Sequence, residues 1–202
     1  MKLRNWEWSF IFAITITIFV TAGISNSQAK LADKLVRLHV VASSDSEEDQ
    51  ALKLRVRDAV LEVLGGPLCG MTDAKDAQTV ITENFGAIES AARDEINASG
   101  CDYSVSVSLG LENFPTREYD TFALPAGEYT ALRVEIGDGG GKNWWCVVFP
   151  PMCTELVTYG AVETGALLDE DEIKLITEED GYVVRFKCIE ILASLRSFFN
   201  SK

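Results

Sequence analysis

The sequence is poor in basic residues and has a single histidine. Its 202 residues include 18 Lys or Arg against 31 Asp or Glu, and the formal net charge is −13 at pH 7. A nucleic-acid-binding protein needs a basic face for the phosphates, so this composition argues against nucleic acid as a partner. Anionic lipid headgroups are disfavoured for the same reason. A protein or a small neutral ligand remains as the class of partner.

Metal-binding patterns of cysteine and histidine are also missing. The chain has no Cys-x-x-Cys pair, and one histidine cannot complete a Cys/His zinc set, so we predict no structural zinc. The cysteine count is odd, and outside the membrane an even subset could pair and leave one thiol over. The five cysteines are Cys69, Cys101, Cys146, Cys153 and Cys188.

A nucleophile motif such as GxSxG is absent. A hydrolase site would have to use His39, with Ser43, Ser44 or a cysteine as the nucleophile and Asp45 as the residue that orients the histidine. The favoured interpretation is a histidine on a strand that hydrogen-bonds to the neighbouring loop. We therefore predict no catalytic residues.

Two further segments resemble ligand sites only superficially. Residues 45–49 are acidic enough for calcium but lack the glycine and the distal glutamate of an EF-hand, and acids also favour the first turn of a helix. GDGGGK at 137–142 lacks the GK[ST] ending and the helix of a phosphate loop, so it is interpreted as a hairpin turn. We predict neither a metal nor a cofactor.

The N-terminal hydrophobic stretch is short. Ser9–Ile24 is uncharged over sixteen residues, about 24 Å as a helix, against the roughly 30 Å of a bilayer core. Ser27 and Ala29 form a small-x-small cleavage pattern, which favours an export signal over residues 1–29. The alternative is a retained membrane anchor. In both cases the working domain, residues 30–202, faces the outside.

Periodicity in the first half of that domain predicts one strand and two helices. Residues 35–42 alternate as a strand, with Val36 and Leu38 on the face opposite to that of His39. Ser46 begins a capping-box-like sequence, and helical spacing follows until the GGP at 65–67. A second amphipathic helix is predicted from about residue 74 to residue 98.

The second half of the domain switches to strand patterns. Residues 103–109 (YSVSVSL) alternate strictly, and 122–124, 129–136 and 143–149 are further strands, the last two joined by GDGGGK as a hairpin. Short connections favour antiparallel neighbours. A final amphipathic helix is predicted over residues 185–199.

These elements together predict a single α+β domain, with an N-terminal strand, two helices, an antiparallel β-meander of hairpins and a C-terminal helix. The helices are expected on one face of the sheet. Residues 163–180 contain eight acidic residues and one lysine, and the run DEDE at 169–172 is interpreted as a solvated face.

The segment KNWWCVVFPPMC, residues 142–153, is apolar on both faces, as expected of a central strand. Adjacent residues of a strand point to opposite faces, so Trp144 and Trp145 cannot enter the same side of a core, and one of them is available to a partner. The sharp turn predicted at the Pro-Pro pair would allow Cys146 and Cys153 to form a disulfide.

Three segments of the chain, 38–64, 113–153 and 183–192, closely resemble the stage II sporulation protein R family of endospore-forming bacteria. The resemblance covers nearly all of the expected exported domain. It implies a signalling protein that is made in the forespore and exported into the space between the two cells. There it would trigger a membrane-embedded aspartic protease of the mother cell, which removes the pro-sequence of the early mother-cell sigma factor.

Aromatic and arginine side chains are enriched at binding hot spots, and five residues are candidates for contact with the protease. They are Phe114, Arg117, Tyr119, Trp144 and Trp145. Two alternatives to a protein ligand stay open: an exported hydrolase of the cell wall that uses His39 or a carboxylate pair, and a scaffold protein held at the membrane by residues 6–24.

Overall fold

The computed structural model describes residues 28–119 and 122–150. It also describes Arg4, Trp8, Ser9, Ile11, Phe12, Thr15, Leu168, Ile173 and Ile176. The predicted C-terminal helix, residues 185–199, lies outside these residues, as does most of the predicted export segment. No helix within the described ranges combines the length and the apolar character needed to cross a bilayer.

The described residues form a mixed four-stranded sheet in the order β2-β5-β1-β6, and a separate two-stranded ribbon, β3-β4. Strand β5 pairs antiparallel with β2 and parallel with β1, which pairs antiparallel with β6. The strands are β1 Val36–Val41, β2 Val105–Phe114, β3 Arg117–Glu118, β4 Ala123–Leu124, β5 Gly127–Ile136 and β6 Asn143–Phe149.

Three helices lie between β1 and β2 and cover one face of the sheet, which we call the helix face. They are α1 Glu47–Gly65, α2 Ala74–Glu83 and α3 Phe85–Ala98. The predicted start of α1 is confirmed, because the Ser46 hydroxyl accepts a hydrogen bond from the Asp49 amide at 3.1 Å. The predicted α+β class, with helices on one sheet face, is also confirmed.

The long helix predicted from residue 74 to residue 98 is interrupted at Asn84, which has φ −97° and ψ 7°. The Asn84 side chain donates to the Val80 carbonyl at 2.8 Å. Such local bonds let asparagine compete with the regular helical pattern, and the chain turns here from α2 into α3. Ile81 and Ile88, on either side of the break, are both fully buried. The predicted apolar stripe is therefore present, although the prediction of one continuous helix was wrong.

The predicted hairpin between β5 and β6 was wrong, because β1 lies between these two strands. Every residue of β1 is buried, and a fully buried strand needs a hydrogen-bonding neighbour on both edges. The glycine-rich loop at 137–142 therefore spans β1 instead of closing a tight turn. Its amides at Gly140 and Gly141 donate to the carbonyls of Ser43 and Ala42, just after β1, at 3.1 and 2.9 Å. The sheet is consequently mixed, and not a purely antiparallel meander.

The face opposite the helices, which we call the loop face, is covered by residues 28–35 and by the segment that contains β3 and β4. Its apolar cluster also includes two residues from the predicted acidic segment. The buried members are Leu31, Leu35, Phe114, Phe122, Leu124, Tyr129, Ala131, Val147, Leu168 and Ile176. The sheet is thus buried on both faces, as the predicted double-sided apolar pattern of β6 requires. Among the described residues, however, β6 lies at an edge of the sheet and not at the predicted central position.

Candidate functional site

The loop face carries a group of polar and aromatic side chains that we call the arginine–aromatic cluster. Each sheet strand contributes to it, because alternate residues of β1, β2, β5 and β6 point to this face. A further member comes from the segment after β3. The cluster consists of Arg37, His39, Phe114, Tyr119, Tyr129 and Trp145.

Arg37 lies at the centre of the cluster and is fully buried. Its Nε donates to the Cys146 carbonyl at 3.0 Å, and its Nη2 donates to the Tyr119 hydroxyl at 2.8 Å. The guanidinium carbon lies 4.2 Å from the ring centroid of Phe114 and 5.1 Å from that of Tyr129. Burial lowers the pKa of Arg37, and aromatic faces offset part of that desolvation. Arg37 therefore ties the segment after β3 to the sheet.

The third guanidinium nitrogen of Arg37, Nη1, has no hydrogen-bond partner among the described residues. A buried donor without a partner destabilises a fold by about 1–3 kcal/mol. The arginine consequently adds specificity of contact more than net stability to the loop face.

His39 lies beside Arg37 in a second polar group. Its Nδ1 is 2.6 Å from the Glu112 carboxylate and its Nε2 is 2.9 Å from the Asn143 side-chain oxygen. The imidazole stacks on Trp145 with 3.9 Å between ring centroids. Arg133 lies 3.5 Å from Glu112, so side chains of β1, β2 and β5 meet in this group. Both ring nitrogens of His39 thus face oxygen atoms of the sheet itself.

Ser44 and Asp45, which were considered above for a hydrolase site with His39, have other hydrogen-bond partners. The Ser44 hydroxyl donates to the Asp49 carboxylate at 2.6 Å, within the start of α1. The Asp45 carboxylate accepts from the Lys142 amide at 2.8 Å, which joins the two glycine- and serine-rich loops. These contacts give Ser44 and Asp45 a role in holding the loops that follow β1 and β5.

Four of the five predicted contact residues meet on the loop face. Phe114 is buried between Arg37 and Trp145, with 4.6 Å between the two aromatic centroids. Tyr119 is half-buried, whereas Arg117 is exposed and holds its guanidinium 5.9 Å from the ring of Trp145. Arg117 and the half-buried Trp145 therefore form the accessible part of this group, which we call the loop-face rim.

The fifth predicted residue, Trp144, lies on the opposite side of the same strand. Its side chain is 36% exposed at the border of the helix face, and the Arg57 guanidinium lies 4.5 Å from its ring. Adjacent strand residues diverge in this way, as the alternation of β6 predicts. The five candidates do not form one continuous surface.

The predicted disulfide falls partly outside the described residues. Cys146 is disulfide-bonded, whereas Cys69 and Cys101 are free thiols. Neither of these two thiols is therefore the partner of Cys146. Its predicted pairing with Cys153 stays a prediction.

Sequence reasoning did not identify Arg37 as the centre of this site. The available signal was the alternation in β1, which places Arg37 and His39 together on one side of a strand with no exposed residue. A charged residue on a doubly buried strand needs partners from elsewhere in the fold, and Arg37 finds them in the Cys146 carbonyl and the Tyr119 hydroxyl. In the described part of the chain, no group of three or more metal-ligating side chains is arranged to hold an ion.

Comparison with known proteins shows which family this chain resembles. A family model described as stage II sporulation protein R matches residues 32–158. Stage II sporulation protein R of Bacillus subtilis strain 168 is 38% identical over 128 residues, which is 63% of this chain and 57% of that protein. The match thus spans a little more than half the length of that relative. No solved structure matches the chain.

Proposed function

The chain belongs to the stage II sporulation protein R family, which supports a signalling role in sporulation, and we propose that it activates a membrane-embedded aspartic protease from outside the cytoplasm. In this proposal the chain is exported across the forespore membrane. The protease then processes the inactive precursor of the early mother-cell sigma factor. The observation that carries the proposal is the family match over residues 32–158, which includes the whole described sheet and the arginine–aromatic cluster.

The proposal gives the chain a binding role and no catalytic step. A ligand activates an enzyme only if it binds the active state more tightly than the inactive one. A rigid surface suits this task, since little ordering entropy is lost on binding. The hydrogen bond between Arg37 and Tyr119 holds the segment after β3 on the sheet and so supports such a surface.

The proposed contact is the loop-face rim. Arginine and tryptophan are the residue types most enriched among binding hot spots, and Arg117 is exposed beside a half-buried Trp145. No carboxylate is paired with the Arg117 guanidinium among the described residues. Its donors are therefore available to an acidic or carbonyl-rich loop of a partner.

The test is co-expression of the full chain with the membrane protease and its pro-sigma-factor substrate, in cells that lack the pathway. We expect cleavage of the substrate to depend on the chain, and Arg117→Ala to reduce the cleavage rate about tenfold, the effect of losing roughly 1.4 kcal/mol. Arg57→Ala is the matched control, because it removes an arginine that lies beside the neighbouring tryptophan on the other face.

Each part of the proposal has its own contrary result. Cleavage at the same rate with and without the chain would reject the signalling function. Chain-dependent cleavage that Arg117→Ala leaves unchanged would reject the loop-face rim and keep the function. An equal loss in Arg117→Ala and Arg57→Ala, with both variants folded, would also reject the rim as the specific contact.

A further inference from the structure

Strand β2 forms one edge of the described sheet. Its ten residues, Val105–Phe114, pair with β5 in continuous register and without a bulge. On its outer side β2 has no strand partner within the described ranges. Every second residue of such a strand directs its amide and carbonyl outward, and an open row of these groups is a template for pairing with another strand.

The usual protections of an edge strand are missing from the first seven residues of β2. The stretch VSVSLGL, residues 105–111, has no charged residue and no proline. Strand β6, which forms the other edge within the described ranges, is different, because its register against β1 shifts near Val36 and Pro150 follows its last residue. Bulges, prolines and charges are the means by which proteins blunt edges. The open character of β2 is thus specific to one edge of this sheet.

The side chains of β2 make the edge complementary to itself. Val107 and Leu109 are half-buried on the helix face, whereas Leu111, on the same face, is 68% exposed. In an antiparallel pairing of two copies centred on Leu109, Leu111 of one copy lies opposite Val107 of the other. Apolar cross-strand pairs of this kind stabilise a sheet. Ser106 would then lie opposite Glu112, so no two like charges meet.

The surface beside the edge is also neutral. A shallow groove runs between β2 and α2, and its lining carries one positive and one negative side chain. The lining residues are Lys75, Gln78, Thr79, Thr82, Glu83 and Leu109. A chain with a net charge of −13 repels its own copies, but charges farther apart than about 8 Å are largely screened at physiological salt. Contact through this neutral edge avoids close repulsion, which favours a second copy as the occupant.

We propose that the edge of β2 is a homodimer interface, at which two copies join antiparallel into one continuous sheet with both sets of helices on the same side. This inference is argued from other residues than the protease proposal, and either one can fail without the other. If both hold, the dimer adds to the protease proposal. A dimeric signal would present two loop-face rims at once, and two linked sites raise the effective affinity without a new contact.

The test is sedimentation velocity of the full 202-residue chain in a non-ionic detergent, over a series of concentrations. We expect a species with twice the 22.2 kDa protein mass of one chain. Leu111→Lys is expected to raise the dissociation constant at least about tenfold, because it places a charge in the new apolar contact. Ala51→Lys, at an exposed position of α1, makes the same change in net charge away from the edge and should leave the dimer intact.

Hydrogen exchange of the β2 amides distinguishes the remaining outcomes. Protection over residues 105–111 that increases with concentration in the wild type, and is lost in Leu111→Lys, would support the interface. Protection that is independent of concentration would show that the chain covers this edge itself, and would overturn the proposal. A monomer at all concentrations would overturn it, as would a dimer that Leu111→Lys does not weaken in a variant with native circular dichroism.

Discussion

The two faces of the sheet are both buried, but by different means. On the helix face, β1 contributes Val36, Leu38 and Val40 to a core of aliphatic side chains. On the loop face, the same strand contributes Arg37 and His39, which are held by directed hydrogen bonds and aromatic rings. Apolar burial is non-directional, whereas hydrogen bonds and ring contacts require particular partners in particular places. The helix face therefore mainly stabilises the fold, whereas the contacts of the loop face fix the positions of particular side chains.

The largest expected effect is on the helix face. Leu38 is fully buried in the aliphatic core, so Leu38→Ala should lower the free energy of unfolding by about 2–5 kcal/mol through lost transfer energy and a residual cavity. Chemical denaturation followed by circular dichroism measures this change. A loss below about 1 kcal/mol would show that the helix face is not the main source of stability.

Arg37, the chain neighbour of Leu38 on the loop face, should respond more weakly. Arg37→Met keeps most of the side-chain volume and removes a desolvated charge, but it leaves the Tyr119 hydroxyl and the Cys146 carbonyl without this donor. We expect a loss of about 1–2 kcal/mol, because the two effects partly cancel.

The signature of Arg37→Met is local. Amide exchange at residues 117–119 should become faster, since the bond that holds Tyr119 to the sheet is gone. Leu38→Ala serves as the control and should change exchange across the whole sheet. A uniform change in Arg37→Met would mean that the loop face is an ordinary part of the core.

Alkaline pH offers a third comparison of the two faces. Burial raises the pKa of Tyr119 and of Tyr129 on the loop face above the ordinary value of 10.0. The unfolded chain therefore releases these protons first, and the stability they contribute falls as the pH rises above 10. Linkage limits the slope to about 1.4 kcal/mol per pH unit for each group. Tyr129→Phe should flatten the fall in the free energy of unfolding measured between pH 9.5 and pH 11.

Lys53 of α1 should act in the opposite direction. Burial lowers the pKa of Lys53 below its ordinary 10.5, so in the window just below 10.5 the unfolded chain holds more protons and stability rises with pH. In Lys53→Met, the fall in the free energy of unfolding at alkaline pH should therefore begin at a lower pH. The same pH profile for wild type, Tyr129→Phe and Lys53→Met would contradict both assignments.

The sequence predicts local patterns of this fold well and its non-local pairings poorly. The alternation in β1 and the Ser46 cap depend on neighbouring residues, and both predictions are confirmed. The position of β1 between β5 and β6 depends on contacts about one hundred residues apart, which no local pattern encodes. The break at Asn84 is a small local preference that a continuous apolar stripe conceals.

The same reasoning applies to the candidate site. The side chains of Arg117 and Trp145 belong to residue types that recognition favours, so they could be selected from the sequence. Their proximity, and the position of Arg37 beside them, depend on β1, β6 and the segment that contains β3, which meet only after folding. A buried arginine is therefore visible in the sequence only as an anomaly in an apolar strand.

The smallest expected effect is the coupling energy between each of the two adjacent tryptophans and its neighbouring arginine. Arg57 lies 4.5 Å from the ring of Trp144, and Arg117 lies 5.9 Å from that of Trp145. Cation–π pairs at exposed sites contribute about 0.5–1 kcal/mol, and the attraction decreases with distance. Double-mutant cycles with alanine should therefore give a measurable coupling energy for Arg57 and Trp144 and a smaller one for Arg117 and Trp145.

A weak coupling of Arg117 within the free chain would sharpen the contrast between the two faces. A residue that contributes little to its own fold, and whose removal nevertheless reduces signalling, acts through a partner. Arg57 should show the reverse, with a larger coupling energy and no loss of signalling. If instead Arg117 and Trp145 are the more strongly coupled pair, the loop-face rim is part of the folded core, and the contact with the protease must be sought elsewhere.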